Sequence, residues 1–214
     1  MTSDIEIKKI TKRPVQYWFE DGLGELMTGS LFSLMGLFFL IQGWTTDSTL
    51  GYLAGILGMV AIGAGPWLSR YVLKKLKEKV IYPRTGYVKF PTIKRTRRIL
   101  TGVIALTVST GLVVLVSQYE DVLNWLPMIE GVAVGAMLYY QAIQVGLIRL
   151  YIEALSSILL GAGIAILGQG DMLGSGLYFL SFGIILVIGG GFTLIRYLRK
   201  SSQFVELDEG ESDE

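Results

Sequence analysis

The chain has 214 residues, of which 51% are hydrophobic and 17% charged, whereas soluble domains average about a quarter charged residues. This deficit favours a membrane protein, and the net charge of +1 hides a strong segregation of the 19 basic residues. The absence of cysteine excludes disulfides and thiolate metal sites, and the absence of histidine removes the commonest general base and metal ligand. We therefore expect neither a metal nor another cofactor.

Six apolar stretches approach the roughly 20 residues that a helix needs to cross a bilayer. Their predicted bounds are Leu23–Trp44, Leu50–Trp67, Ile99–Gln118, Leu126–Ile148, Ile152–Gln169 and Leu173–Tyr197. Because lipid offers the backbone no hydrogen-bond partner, each stretch is predicted to be a transmembrane helix. Residues 1–22 are predicted to form a cytoplasmic segment with interfacial aromatic side chains, and 23–197 the six-helix transmembrane domain.

The connections between these stretches alternate in charge. Basic residues occur only in the N-terminal segment, in the second and fourth connections, and at or after the C-terminal end of the sixth stretch. The positive-inside rule therefore predicts a multi-pass protein of the cell (plasma) membrane with both termini in the cytoplasm. The tryptophans agree with this layout, since Trp18 and Trp67 fall at the predicted inner boundary and Trp44 and Trp125 at the outer one.

The cytoplasmic loop 70–98 carries 11 basic residues and one acid, a net charge of +10. Its run from Val80 to Pro91 has two β-prone segments around Gly86, which predicts a small β-hairpin. The plainest interpretation of the charge is topological, but such clusters also attract anionic lipid headgroups by ~1 kcal/mol per basic residue. The residues expected to bind lipid or a protein partner are Lys74, Lys75, Arg84, Lys89, Lys94, Arg95 and Arg97. Nucleic acid is not an expected partner, because no recognised binding motif is present.

The C-terminal tail, residues 198–214, has six acids from Glu206 onward and no base among them. This composition predicts disorder. The tail is expected to stay solvated rather than to dock on the basic loop.

An internal similarity predicts repeats. Ile62–Tyr71 aligns without gaps to Ile188–Tyr197, with identities at Ile, Gly, Gly, Leu, Arg and Tyr. We expect three parallel helical hairpins, near 23–71, 98–149 and 152–197, related by an axis along the membrane normal. The alternative is that glycine-rich apolar helices ending in Arg-Tyr align through composition alone.

Small residues spaced by four predict close helix packing in lipid. They form the pairs Gly51/Gly55 and Gly131/Gly135 and the row Ser157, Gly161 and Ala165. Packing within one chain is favoured over a dimer interface, and a homo-oligomer stays open as an alternative.

Charged residues at the inner ends of the helices suggest a cytoplasmic vestibule. Glu25 and Glu153 are predicted in the first turns of their helices, where a carboxylate favourably meets the helix dipole. Arg149 precedes Glu153 by four residues, which makes a local ion pair plausible. Arg98 takes the place of the glutamate in the middle hairpin, so Glu25, Arg98, Arg149 and Glu153 are candidate vestibule residues. A structural role at the helix ends is the favoured interpretation.

The fourth stretch is the most polar of the six, and intramembrane ionisable groups point to function by default. The hypothesis is a polar path between the third and fourth stretches. Its candidate residues are Glu130, Tyr140, Gln141, Gln144, Thr107 and Thr110. The alternative is interhelical hydrogen bonding that only holds the bundle together.

The stretch from Gly176, Leu177 and Tyr178 through Arg196 resembles the glycine-rich hairpins of small bacterial acid-resistance membrane proteins, which are built from three such hairpins. The basic insertion with Tyr-Pro-Arg-Thr-Gly-Tyr-Val departs from that pattern and resembles a segment of uncharacterised prokaryotic membrane proteins. The resemblance implies three hairpins and assigns no site residue.

Catalysis finds little support, because no nucleophile elbow, phosphate loop or dinucleotide fingerprint occurs in context. We expect a non-enzymatic protein, best interpreted as a small-solute or ion transporter or channel. The alternative is a membrane scaffold or stress-response protein that acts through its basic loop on anionic lipid or a protein partner.

Overall fold

The computed structural model describes residues 19–45, 48–81, 120–168 and 171–211, which are helical almost throughout and include no strand. Five long helices make up this part of the chain: α1 (Leu23–Trp44), α2 (Thr49–Leu76), α3 (Leu126–Val145), α4 (Ile148–Ile166) and α5 (Asp171–Glu211). A π-helical turn, Lys77–Ile81, extends α2, and a 3-10 turn, Glu120–Trp125, precedes α3. All five helices are long and apolar enough to cross a bilayer, which confirms the all-helical, membrane-type prediction for these segments.

The predicted span Ile99–Gln118 and most of the predicted β-hairpin lie outside the described residues. Val80 and Ile81, predicted to begin the hairpin, instead lie in the π-helical turn that continues α2. An existing helix gains one hydrogen bond for each residue added, so propagation from α2 outweighs the strand preference of two β-branched residues.

The break between α3 and α4 falls earlier than predicted. Gly146 ends α3 with φ 77° and donates its N–H to the carbonyl of Ala142 at 2.7 Å, and α4 begins two residues later. Glycine favours this left-handed cap because it has no Cβ. Arg149 consequently lies in the first turn of α4 and not in a connection.

The helix α5 runs on through Glu211, into the segment for which the composition predicts disorder. The residues after the predicted span include arginine, lysine, glutamine, leucine and glutamate, which are good helix formers. Growth from an established helix needs no new nucleus, so acidic composition alone does not end it.

The most extensive packing joins α1 to α5, followed by α3 with α4 and α1 with α2. The helices α4 and α5, predicted to form the third hairpin, contact each other far less than they contact α3 and α1. The described helices therefore give the repeat no support. We name the two ends of the bundle by their residues: the charged end contains Asp21, Lys77 and Arg149, and the tryptophan end contains Trp44 and Trp125.

Glycines spaced by seven residues close the α1–α5 contact. On α1 and its N-cap they stand at 22, 29, 36 and 43, and on α5 at 176, 183 and 190. A Cβ at Gly29 would lie 2.7 Å from the carbonyl oxygen of Gly183, and one at Gly190 2.8 Å from that of Gly22. We call this contact the glycine seam. Its two backbones touch directly, which maximises packing where lipid removes the hydrophobic driving force.

The contact between α3 and α4 uses four-residue spacing. A Cβ at Gly131 would lie 2.7 Å from the carbonyl oxygen of Ser157 and 3.1 Å from Gly161 Cα. A Cβ at Gly135 would lie 2.9 Å from the carbonyl oxygen of Ala154. The predicted role of these small residues in packing within the chain is thus confirmed.

Candidate functional site

A buried ion pair closes the charged end between the start of α1 and the end of α2. Lys77 Nζ lies 2.6 Å from Asp21 Oδ2, and both side chains are only 2% exposed. The other carboxylate oxygen of Asp21 accepts the backbone N–H of Leu23 at 3.0 Å, which satisfies one of the free donors at the start of α1. Gly22, between them, has φ 74° and makes this tight entry to the helix possible.

A second ion pair joins α4 to α1. Arg149 Nε lies 2.7 Å from Glu25 Oε1, with the glutamate side chain 6% exposed. The same guanidinium donates to the backbone carbonyls of Phe19 and Glu20, two helical residues just before α1. Because guanidinium has five donors in a fixed fork, one side chain ties three separate parts of the chain together.

Glu153 lies one turn after Arg149 on α4 and is 8% exposed. Its carboxyl group lies beside that of Glu25, within hydrogen-bonding reach, and also near the Arg149 charge. Glu153 forms no ion pair among the described residues. Oε2 of Glu153 and Oε2 of Glu25 are buried without a hydrogen-bond partner. Two ionised carboxylates have no donor to share between them.

The charged cluster comprises five residues: Asp21, Glu25, Lys77, Arg149 and Glu153. Three acids and two bases give it a formal charge of −1. Removing charge from water costs free energy that close pairing only partly offsets. An additional positive charge between the Glu25 and Glu153 carboxyls would balance the cluster and satisfy the orphaned oxygens. Among the described residues, no group of three or more acidic side chains is arranged to hold a metal ion.

A second polar group lies between α3, α4 and α5, nearer the tryptophan end. The hydroxyl of Ser157, fully buried, donates to the carbonyl of Gly131 at 2.9 Å and lies 2.8 Å from Tyr178 Oη. Because the serine proton is directed to Gly131, the tyrosine is the donor in the second bond. Glu130 lies near Tyr178 and faces Ser175, whose hydroxyl is buried without a completed hydrogen bond. We call Ser157, Tyr178, Ser175 and Glu130 the hydroxyl cluster.

The predicted polar path is not assembled among the described residues. Glu130 faces α5, in the first turn or so of α3, whereas Tyr140 lies ten residues further along, about 15 Å at 1.5 Å per residue. Tyr140 and Gln144 are exposed and Gln141 is half-buried. Thr107 and Thr110 lie outside the described residues. What the prediction missed is that Glu130 faces Ser175 of α5, which no short-range spacing indicates.

Three of the four predicted vestibule residues lie together in the structure. The structure brings Glu25, Arg149 and Glu153 together at the charged end, while Arg98 lies outside the described residues. Sequence reasoning missed Asp21 and Lys77. Asp21 directly precedes a glycine and an apolar span, a typical helix start that was available as a signal. Lys77 had none, because the π-helical turn changes the α-helical phase at that position.

Two candidate lipid-binding lysines of the basic loop are described. Lys74 is largely exposed and lies 3.7 Å from Glu78, a surface ion pair of little energetic weight. Lys75 Nζ lies 4.6 Å from the centre of the Tyr71 ring, in cation–π geometry. Arg84, Lys89, Lys94, Arg95 and Arg97 lie outside the described residues. Lys77, another basic residue of this loop, is buried against Asp21.

No family model, curated protein or solved structure matches the chain. The resemblance to acid-resistance membrane proteins accordingly stays a prediction. The charged cluster and the hydroxyl cluster hold the buried ionisable side chains of the described bundle, and they are therefore the candidate sites.

Proposed function

We propose that this protein is a multi-pass membrane protein that moves a small monovalent cation across the bilayer, with Glu25 and Glu153 as its binding pair. The observation that carries the proposal is Glu153, a buried acid without an ion pair among the described residues that faces a second buried acid. Ionisable groups buried within membrane spans are costly and commonly mark an ion pathway.

The neighbours of the pair suit reversible binding. Arg149 holds Glu25 in place from α4 while Glu153 projects from the same helix, so both acids are positioned by one turn of α4. A bound monovalent charge changes the formal charge of the cluster from −1 to zero. Because Arg149 already offsets part of the acidic charge, binding is expected to be weak enough for release.

Two further observations support the predicted membrane arrangement. Since α2 ends at the charged end and α3 begins at the tryptophan end, residues 82–119 connect opposite ends of the bundle. A sixth span at 99–118 accounts for that connection. The one-sided distribution of basic residues favours a charged end that faces the cytoplasm of the cell membrane. A homo-oligomer stays a prediction.

The proposal is tested by cation uptake into liposomes that contain the purified protein. Separate assays follow H⁺, Na⁺ and K⁺ under an imposed potential. We expect the full-length protein to raise uptake of one of them above protein-free liposomes. Glu153→Gln keeps the shape of the side chain but removes its charge, so it should reduce that uptake to background.

The matched control is Glu78→Gln, which removes an exposed acid that forms a surface pair with Lys74. It should leave uptake unchanged. If Glu153→Gln and Glu78→Gln transport equally well, the binding pair is wrong. If the unaltered protein transports none of the three cations, the transport proposal itself is wrong.

A scaffold role for loop 70–98 is the second candidate, favoured by the exposed side chains of Lys74 and Lys75 at the charged end. Anionic headgroups would bind such side chains in addition to the surrounding bilayer. Charge reversal of both lysines should weaken binding of the detergent-solubilised protein to anionic lipid nanodiscs and leave binding to zwitterionic ones unchanged. Unaltered binding to both kinds of disc would contradict it.

A further inference from the structure

Three side chains form a stacked stripe on α2 where this helix approaches the charged end. The Trp67 and Tyr71 rings are stacked, with their centroids 6.3 Å apart and their planes inclined by 13°. Lys75 Nζ lies 4.6 Å from the centre of the Tyr71 ring. The three residues are spaced by four in the sequence and therefore follow one side of the helix. We call them the interfacial stripe.

The interfacial stripe is turned away from the bundle. Trp67 is 72% exposed and Tyr71 50%, whereas Gly58 and Gly65 of the same helix lie against side chains of α1. Packing within the described bundle therefore does not explain the two exposed rings. In a membrane protein, tryptophan and tyrosine are enriched where the apolar layer meets the headgroups, so the surface that these rings meet is lipid.

The two neighbouring lysines at this end of α2 extend in opposite directions. Lys74 reaches forward to Glu78, the one acid of loop 70–98, at 3.7 Å. Lys75 instead lies back over Tyr71, which carries its ammonium group towards the apolar span and away from the end of the helix. Lys75 forms no ion pair within the part of the chain that the structure describes. Its charge is therefore available to a ligand at the edge of the bilayer.

The length of the interfacial stripe fits the layer that it would cross. Eight residues separate Trp67 from Lys75, about 12 Å along the axis at 1.5 Å per residue. The headgroup layer of one leaflet is roughly 5–7 Å thick. A stripe of this length therefore reaches from the hydrocarbon edge through the headgroups, with its aromatic rings on the apolar side and its ammonium group at the level of the phosphates.

We propose that the interfacial stripe binds one anionic phospholipid, whose phosphate pairs with Lys75 and whose glycerol and upper acyl chains lie along Tyr71 and Trp67. The Tyr71 ring holds the ammonium group before the lipid arrives, so less side-chain freedom is lost on binding. A zwitterionic headgroup carries its own cation beside the phosphate and therefore competes poorly. This inference rests on the membrane placement in the proposed function, and on neither the transport nor the scaffold role.

The test measures which lipid touches Trp67. Trp18, Trp44 and Trp125 are replaced by phenylalanine, and fluorescence then reports the remaining tryptophan. The protein is reconstituted in zwitterionic bilayers with a fixed fraction of phosphatidylglycerol or phosphatidylcholine whose brominated acyl chains quench tryptophan on contact. We expect phosphatidylglycerol to be preferred beside Trp67. Lys75→Gln should lower that preference about five-fold, the attraction expected of one basic side chain near anionic headgroups.

Two matched controls separate the interfacial stripe from the general charge of the loop. Lys74→Gln removes the same charge from the adjacent residue, which is already paired with Glu78, and should change the preference less than about two-fold. Tyr71→Leu keeps every charge and removes the ring beneath Lys75, so it should lower the preference at least about two-fold. Tyr52→Leu, an exposed tyrosine at the other end of α2, should leave the preference unchanged.

The outcomes distinguish the lipid site from the membrane placement on which it rests. Equal losses for Lys75→Gln and Lys74→Gln, or a full preference in Tyr71→Leu, would overturn the site. Equal quenching by the two brominated lipids would also overturn it and leave the membrane placement standing, whereas quenching by neither lipid would contradict that placement. If the protein with a single tryptophan does not fold, native mass spectrometry of the chain with all four tryptophans compares retained phosphatidylglycerol and phosphatidylcholine, and the same variants decide.

Discussion

The glycine seam and the charged end hold the same helix, α1, by opposite means. Along the seam, α1 and α5 lie so close at the glycines that their backbone atoms touch. At the charged end, α1 and the residue before its N-cap are tied to α2 and α4 through ion pairs of buried or partly buried side chains. The two regions adjoin, since a Cβ at Gly190 would lie 3.1 Å from Glu25 Cβ.

The difference teaches which region needs a functional explanation. Close backbone packing stabilises helix association in lipid and has no desolvation cost. Buried ions are expensive, and an apolar replacement of similar volume is often as stable or more so. A bundle that needed only stability could extend its seam to the end. The charged end is therefore the region whose cost in stability the proposed transport would explain.

The largest effect on stability is expected from removing one ion of the Asp21–Lys77 pair. Asp21→Asn or Lys77→Met alone leaves a buried charge without its partner and should cost roughly 3–5 kcal/mol of unfolding free energy. The double variant Asp21→Asn/Lys77→Met should recover most of that loss, because it leaves no unpaired charge and keeps a side-chain oxygen for the Leu23 N–H. Unfolding in mixed detergent micelles, followed by circular dichroism, measures all three.

The control for that cycle is Lys74→Met, which breaks only an exposed pair and should change stability by less than about 1 kcal/mol. A double variant that is no more stable than the worse single variant would show that the pair stabilises the fold outright. The charged end would then need no functional explanation at Asp21 and Lys77.

The next largest effect is expected from adding one methyl group to the seam. At Gly36 a Cβ would lie 2.7 Å from Leu180 Cα and 2.8 Å from the carbonyl oxygen of Gly176. Backbone atoms cannot move aside cheaply, so Gly36→Ala should lose about 1–3 kcal/mol despite the better helix propensity of alanine. Gly191→Ala is the matched control, because no atom lies within 4 Å of its Cβ position. It should be neutral or slightly stabilising, and equal thermal midpoints for the two variants would contradict the seam.

The helices are easier to predict from the sequence than their packing partners. The long apolar run Leu23–Trp44 gives the bounds of α1 correctly, because the bilayer sets the length of such a run. The predicted end of α3 is wrong because the charge of Arg149 indicates a connection, although Gly146 carries the helix-stop signal. Which helix packs on which is a contact between distant residues, and pairing within hairpins gives the wrong neighbour for α5.

The candidate site is predictable only in part. Glu25, Arg149 and Glu153 stand out as charges at span ends, and the fold brings them together. The seven-residue spacing of glycines in the first and last spans is also visible in the sequence, and this shared period favours a pairing of α1 with α5. The burial of Lys77 is not predictable, because it depends on a local change from α- to π-helix.

The smallest expected effect tests the boundary between the two regions. Gly190→Ala adds a methyl group next to Glu25 Cβ, whereas Gly36→Ala acts about 17 Å from Glu25 along α1 at 1.5 Å per residue. Combined with Glu25→Gln, the near variant should show a coupling free energy of at least about 0.5 kcal/mol, and the distant one should be additive within about that amount. Double-mutant cycles in mixed micelles measure both values. Equal coupling at the two positions would mean that a packing change anywhere along the glycine seam affects Glu25. Coupling at Gly190 alone would instead show that the glycine seam affects Glu25 only where the two are in contact, at one backbone position of α5.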